Sequence, residues 1–466
     1  MTPARVSVDL GAESCRVSLL RWHDGHPQIT VVHRIPNGPV ARGEELRWDL
    51  QAIWAGVDEG LRRCASIATE GIASIAVDGW ATDYVRLGSD GLAIGDPFCY
   101  RDPRNIAAER AVHERMDDRH LYSLTGLQRL RFNTMYQLYA DGVAGIPAHL
   151  PWLNLPEYFL YRLGGRRVAE YTTATHTGLV SVVTRNWCAE AFAAAGLDRA
   201  AAPELVAPGT DVGAVQGPLA DLPAFRETRL IAPACHDTSS AIAGIPGSKE
   251  DSAYISSGTW SLVGAVLDRP CTTEAAFDKD FTNQGGVAGQ TNFHKNVNGM
   301  WLLRQCIEYW NHGWTVPELV GRAEGLPAPE HLFDVDQAEL MLPGNVPARI
   351  NEQRRAAGFV ALDEGAENAP AITNLILHSL AARYAEVFRD LTAVTGKTLR
   401  RVYIVGGGSR NRLLNRLTQE ATGLEVFCGY VESATIGNFA LQLAEEKGSK
   451  AEIAQWARTL GAAVEG

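Results

Sequence analysis

Residues 5–22, RVSVDLGAESCRVSLLRW, and residues 252–267, SAYISSGTWSLVGAVL, decide the fold when set side by side. RVSVDL reads as a strand ending in Asp9, GAESCR turns the chain, and VSLLRW returns as a second strand. SAYIS is again a strand, SSGT a turn, and WSLVGAVL a returning strand. One hairpin with a glycine or serine turn near the start of each half predicts a structural duplication, with a boundary near residue 243. A chain of 466 residues is too long for one compact core, so residues 1–243 and 244–466 are expected to form two α/β domains.

Outward from these hairpins the pattern continues. Ile72–Val77 is an apolar strand leading through Asp78 into DGWATDY, and helical patterns fill Leu121–Leu163. A short strand, Leu230–Ala232, runs into CHDTSSAIAGI. The second half adds a long helix over Ile372–Thr395, with Leu375, Leu380, Tyr384, Val387 and Leu391 recurring at helical spacing. A strand (Val402–Val405), GGGSRN, a helix (Arg410–Thr422) and a strand (Leu424–Phe427) follow.

Composition narrows the function classes. The net charge of −11 argues against a nucleic-acid surface or an anionic membrane, each of which selects a basic face. No apolar run reaches the ~18 residues that span a bilayer. The opening MTPARVSVDLGAES meets Asp9 and Glu13 before any long apolar stretch, so no signal peptide is expected. The eight cysteines are scattered without a CxxC pair, which predicts a reduced, cytoplasmic protein rather than a disulfide or zinc scaffold. A monomer or small homo-oligomer is expected.

Several familiar motifs fail on spacing. TGKT at 395–398 has Leu391 where a P-loop needs its first glycine, and Gly396 reads instead as a helix stop. His113-Glu114 has Asp117 where a zinc-protease motif needs its second histidine. GGGSRN follows a strand and opens a helix like a dinucleotide fingerprint, but Asn411 stands at the last glycine position and Glu425 begins rather than ends the next strand.

Three glycine turns and one carboxylate remain. DLGAESCR places Asp9 at a strand end before a turn whose amides can face phosphate oxygens. SSGTWS offers a second such turn with the Thr259 hydroxyl, and GGGSRN lets a base and ribose lie against backbone at a helix start. With VDGWATDY, YRDPR, FNTMYQL, YTTATHTGLV, CHDTSSA, TNQGG, KNVNGMWLL and ESATIGN, these segments resemble the FGGY carbohydrate kinases, and most closely their rhamnulokinase branch. The resemblance implies two ribonuclease-H-like domains of the actin-like ATPase and sugar-kinase type around a central cleft, the first binding sugar and phosphate and the second nucleotide. It implies a small sugar substrate, ATP and Mg²⁺, and phosphorylation of a ketose at its primary hydroxyl. L-rhamnulose is the first expectation; L-fuculose or another deoxysugar, or a sugar-binding sensor without turnover, are the alternatives.

Residue by residue, the resemblance implies Asp237 as the base that takes the sugar hydroxyl's proton, although an Asp before TSSAIAG also serves simply to start a helix. Trp80, Ala81, Asp83, His236, Asp237, Thr238 and Asn296 would contact sugar, and Asp9 would hold the metal through water. Ala12, Glu13, Ser14, Cys15, Arg16, Gly258, Thr259, Arg304, Gly407, Gly408 and Asn411 would contact ATP, with Gly437 and Asn438 helping to frame the adenosine. Arg101 and Asp102 of YRDPR read as structural. Cys15 and Ala81 stand where the family usually has glycine, Gly79 where it has threonine, and Arg304 where it has glutamine. Glu13 adds a negative charge to the turn expected to meet a triphosphate.

Overall fold

The computed structural model describes residues 2–247, 249–430, 432–444 and 449–465. The first sheet is built from β1 (Ala4–Leu10), β2 (Ser14–His23), β3 (His26–Pro36), β4 (Ile72–Gly79), β5 (Thr210–Ala214) and β6 (Arg229–Ala232). Their order is β5-β6-β4-β1-β2-β3. β1 pairs antiparallel with β2 and parallel with β4, and β4 pairs parallel with β6. The core on this sheet gathers Val6, Val8, Leu10, Val17, Ile75 and Val77 with the apolar stripe of helix α1 (Leu50–Ile67). Asp49 starts that helix by accepting from Ala52 N at 2.8 Å, and Leu50, Ile53, Val57, Leu61 and Cys64 are the residues its spacing turns inward.

The second unit repeats the plan with β7 (Ser252–Ser257), β8 (Trp260–Leu267), β9 (Thr291–Asn298), β10 (Arg401–Val405) and β11 (Glu425–Cys428), in the order β9-β8-β7-β10-β11. β7 pairs antiparallel with β8 and parallel with β10, as β1 does with β2 and β4. The duplication read from the two hairpins is therefore present. The long helix runs over Ala369–Thr395 and stops at Gly396, whose φ of 69° is the left-handed cap that glycine adopts without steric penalty. Strands β3 and β9 are not among the strands expected from the sequence: β3 alternates exposed and half-buried residues with only Ile35 buried, and β9 is buried or half-buried throughout, so neither carries an alternation of apolar-in and polar-out residues.

The compact units are not the contiguous halves 1–243 and 244–466. One comprises Met1–Gly247, Leu267–Phe293 and Ser433–Gly466; the other comprises Ser248–Val266 and His294–Glu432. The helices Ser433–Leu443 and Lys450–Glu465 thus belong to the first unit. Ser433–Leu443 buries Ile436, Phe439 and Ala440 completely, and a Cβ on Gly437 would lie 1.8 Å from Ser240 O in the helix Asp237–Ala243. Only glycine permits that approach. No helix among the described residues is long and apolar enough to cross a membrane. All eight cysteines are free thiols, six of them buried.

Candidate active site

The first unit brings three aspartates to one end of its sheet. Asp9 and Asp78 are register partners on the parallel strands β1 and β4, and Arg16 faces Asp9 across the β1–β2 hairpin. Arg16 Nη1 donates to Asp9 Oδ2 at 2.8 Å, with Asp9 nearly buried. Beyond the strands, Gly79 N donates to Cys235 O (2.9 Å) and Trp80 N to Leu10 O (3.1 Å). A Cβ on Gly79 would sit 2.8 Å from Leu10 O, so the departure from threonine here keeps two strand ends in contact. The chain leaving β6 therefore passes beside the end of β4 before His236 caps the helix Asp237–Ala243.

Asp237 is the first residue of that helix. Its Oδ1 accepts from Thr238 N at 2.5 Å and Thr238 Oγ1 at 3.2 Å. Although its side chain keeps 32% of its surface open, lost hydration and then the charge of Asp9 push its pKa up to about 7. The Thr238 donors and Arg16 pull the other way. Asp78 is fully buried; desolvation, then Asp9, hold its pKa well above the carboxylate range, partly opposed by Asn438 Nδ2 donating to its Oδ2 at 3.1 Å. Asn438 in turn accepts from Gln442 Nε2 at 2.7 Å. Asn438 has no exposed surface and Gly437 is a packing glycine, so both hold the helix Ser433–Leu443 against the helix Asp237–Ala243 and Asp78.

A second pair of buried acids lies behind this end. Glu170 Oε2 accepts from Cys235 N at 2.8 Å and from the Thr172 hydroxyl, Oε1 accepts from Thr172 N at 2.9 Å, and His236 N donates to Thr172 Oγ1 at 3.2 Å. Glu157 Oε1 takes Glu170 N at 3.0 Å. Burial raises Glu157 to about 8 and Glu170 to about 7. Glu170, with three donors, is the better holder of charge, and Glu157 of the proton.

The DGWATDY segment forms a turn. Thr82 adopts a φ of 76°, rare for a residue with a Cβ, and its carbonyl is pinned by Thr134 Oγ1 (2.7 Å) and Gln137 Nε2 (3.2 Å) from the helix Thr134–Val143. Asp83, expected to orient sugar hydroxyls, has no exposed surface. Its Oδ2 accepts from Trp48 Nε1 (2.6 Å), Trp80 Nε1 (2.9 Å) and Tyr100 N (3.3 Å), and its Oδ1 from Gln137 Nε2 (3.2 Å). Asp83 thus fixes the indole of Trp80, which also packs on Trp48 at 4.5 Å between ring centroids. Ala81 remains half-buried at the turn. Asp102 accepts from Leu46 N and Arg104 N, in keeping with the structural reading of YRDPR.

In the first hairpin turn, Gly11 is required: a Cβ would meet Ser14 O at 2.4 Å. Asn37 Nδ2 braces the Gly11 carbonyl at 2.9 Å. Ala12 and Ser14 are half-buried and Glu13 is exposed at the tip. Cys15 turns into the core, its thiol toward Gly11 O and its pKa pushed up to about 12 by burial, so its side chain packs and does not offer a thiolate.

In the second unit, the exposed Gly258 and half-buried Thr259 form the β7–β8 turn, held by Met300 N on Gly258 O (3.0 Å) and Trp301 N on Thr259 O (3.3 Å). A Cβ on Gly408 would fall 1.9 Å from Ser257 Oγ, whereas one on Gly407 would meet nothing within 4 Å. Gly408 packs the loop on β7; Gly407 leaves its outer face open. Asn411 Oδ1 caps the helix Arg412–Thr422 through Leu414 N at 3.1 Å. Arg304 is exposed on the helix Trp301–Trp310, and Asn296 is half-buried on β9. His294 is fully buried, its Nδ1 2.8 Å from Tyr254 Oη, as a core histidine.

Asp78, Glu170, His176 and Gln284 are not among the residues expected at the site. Asp78 had a visible signal, since VDG at 77–79 ends a strand as VDLG does at Asp9. His176 and Gln284 lie in the quoted YTTATHTGLV and TNQGG segments, but no role could be read for them or for Glu170 without their tertiary partners.

This doubled sheet with carboxylates at the hairpin end belongs to the FGGY family of carbohydrate kinases: residues 5–244 match the family's N-terminal domain and 253–445 its C-terminal domain. The chain is 34% identical over 439 residues to a rhamnulokinase of Bacteroides thetaiotaomicron, covering 94% of this chain and 89% of that one. It is 36% identical over 448 residues to a rhamnulokinase of Pectobacterium carotovorum, covering 94% and 87%. The fold matches a xylulose kinase from Lactobacillus acidophilus with a TM-score of 0.77 at 14% identity, over 99% of this chain and 97% of that one. A Plasmodium falciparum glycerol kinase solved with ADP matches with a TM-score of 0.73 at 13% identity, over 98% and 92%. The protein is a carbohydrate kinase.

Proposed function

We propose that this kinase transfers the γ-phosphoryl group of ATP to the primary hydroxyl of L-rhamnulose, with Asp237 as the general base. The observation that carries the base assignment is the placement of Asp237. It is partly open, raised to about 7 and set beside the Asp9–Arg16 pair. A base titrating near neutrality matches proton acceptance at working pH. Rhamnulokinase relatives aligned over nearly the whole chain support the choice of sugar.

Asp237 takes the proton as the sugar oxygen bonds to phosphorus and the bond to the leaving ADP breaks. Trp80, fixed by Asp83, offers an indole against the sugar's apolar side, and His236 and Thr238 flank the base. In the first unit, Arg16 and the amides of the Ala12–Ser14 turn are suited to phosphate; in the second, the Gly258–Thr259 turn is suited to phosphate and Gly407 offers a nucleotide an open backbone surface. The hard carboxylate oxygen of Asp9 suits hydrated Mg²⁺, which, when bound with the nucleotide, neutralises charge on the phosphates. The cytoplasm, where ATP is available, is the proposed location.

Ala81 gives a second reading its footing. A methyl group at the turn beside Trp80 is worth about 1–3 kcal/mol among similar sugars, enough to broaden selectivity toward L-fuculose. Coupled ADP release with L-rhamnulose, L-fuculose, L-ribulose and D-xylulose, in wild type and Ala81→Gly, tests both. The highest kcat/KM is expected for L-rhamnulose, with sharper discrimination in the glycine variant. No turnover of L-rhamnulose removes the sugar assignment; unchanged ratios in Ala81→Gly remove the role of Ala81.

A further inference from the structure

Three side chains far apart in sequence form a buried line that ends at the proposed base. Gln284, on the strand Thr282–Gly285, places Nε2 2.9 Å from His176 Nδ1. His176, in the turn Thr175–Thr177, places Nε2 3.0 Å from His236 Nδ1. His236 Nε2 lies 3.4 Å from Asp237 Oδ1. Gln284, His176 and His236 are 2%, 7% and 5% exposed. None of the turns read as phosphate or adenosine sites includes Gln284 or His176.

The donors and acceptors run in one direction. An amide nitrogen carries hydrogens and no available lone pair, so His176 Nδ1 must accept. The single proton of a neutral His176 is then on Nε2 and points at His236 Nδ1, which must also accept. That leaves the proton of His236 on Nε2, on the side of Asp237. The neighbouring hydroxyl does not disturb this order: Ser239 Oγ is 3.4 Å from His236 Nδ1 but donates its one hydrogen to Gly285 O at 3.1 Å while accepting from Asn292 Nδ2 at 3.0 Å. Burial holds His236 down to about 3, so the ring stays neutral and its tautomer matters.

We infer that Gln284 and His176 are positioning residues that fix the tautomer of His236, so that its Nε2–H faces Asp237 and favours the charged, proton-accepting form of that carboxylate. The inference rests on the reading of Asp237 as the base. The other charged groups acting on Asp237 are Asp9 on β1, which opposes the effect, and Arg16 on β2, which adds to it; the charge of Asp237 in turn raises Asp78 on β4. Glu170 reaches the same segment through Cys235 N.

Selectively ¹⁵N-labelled histidine in the full-length protein reads the tautomer, with a His236→Asn spectrum for assignment. ¹³C-labelled aspartate, assigned with Asp237→Asn, reads the Asp237 midpoint. The expected wild-type result is Nε2–H on both His176 and His236; Nδ1–H on His236 overturns the inference. Gln284→Met keeps the length but removes the donor. It is expected to let Nδ1–H forms of His176 and His236 appear and to raise the Asp237 midpoint by up to roughly one pH unit. A His236 that keeps only Nε2–H overturns the role of Gln284, and a changed His236 with an unmoved Asp237 midpoint overturns the effect on the base. Neither readout needs turnover, so an inactive wild type defeats the kinase substrate reading without touching this one.

Discussion

Asp237 has to be ionised before it can accept a proton, and its surroundings decide the pH at which that happens. With its pKa raised to about 7 by lost hydration and Asp9, kcat/KM is expected to fall as pH drops below 7, by about tenfold per unit. Asp237→Ala should lower kcat by ~10²–10⁴ and leave the KM for ATP nearly unchanged. A pH-independent kcat/KM between pH 5 and pH 8, or a variant with more than about a tenth of wild-type kcat, removes the base assignment. The buried pair behind it makes a separate prediction about stability. Glu157 titrates near 8 in the folded chain against an ordinary 4.5, so the stability it contributes is full at low pH and is lost as pH rises toward 8; Glu170, near 7, acts in the same direction. Scanning calorimetry should therefore find the advantage of wild type over Glu157→Gln largest near pH 5, shrinking to pH 8 and flat above. A difference that stays constant with pH contradicts the raised titration of Glu157. CHDTSSA pointed to Asp237 as the proposed base, but Glu170 was not legible, because a Glu before YTTA carries no mark that its partner is Cys235 N.

Among the elements, the glycine turns separate into those that pack and those that stay open. Gly408→Ala puts a methyl 1.9 Å from Ser257 Oγ and should cost about 1–3 kcal/mol in denaturant melts. Gly407→Ala meets nothing within 4 Å, so its stability should stay within about 0.5 kcal/mol of wild type while its KM for ATP rises. Equal destabilisation by both variants contradicts this division. The GGGSRN motif announced a tight strand-to-helix turn but not which glycine serves which purpose, since that depends on where β7 lies. The hairpins, the long helix and its Gly396 stop were readable from local pattern alone, because strand alternation, helical spacing and left-handed caps are properties of a few neighbouring residues.

At the scale of the whole molecule, the last helices belong with the first residues. Gln442 Nε2 donates to Val6 O at 3.0 Å, Ser74 Oγ to Gln442 Oε1 at 2.6 Å and Arg5 Nη1 to Ser74 Oγ at 2.7 Å, a buried network that continues through Asn438 to Asp78. A fragment of residues 1–247 would expose the surface covered by Ile436 and Phe439 and strip Asp78 of Asn438, so it should show no cooperative urea transition. A fragment that melts cooperatively contradicts the idea that residues 433–466 complete this unit. By itself the sequence determined the duplicated hairpins, the glycine turns and the family, and it nominated Asp237 and Asp9 as the carboxylates of the proposed site. Each of these is written in contiguous residues. Only the tertiary structure decided that Asp78 stands beside Asp9, that Asp83 anchors Trp80, that Gly437 packs on Ser240 while Asn438 donates to Asp78, and that Gln284 and His176 lead to His236. Those outcomes depend on strand register and helix packing between segments up to several hundred residues apart, and on a burial that hides a carboxylate or turns one polar side chain into another's partner.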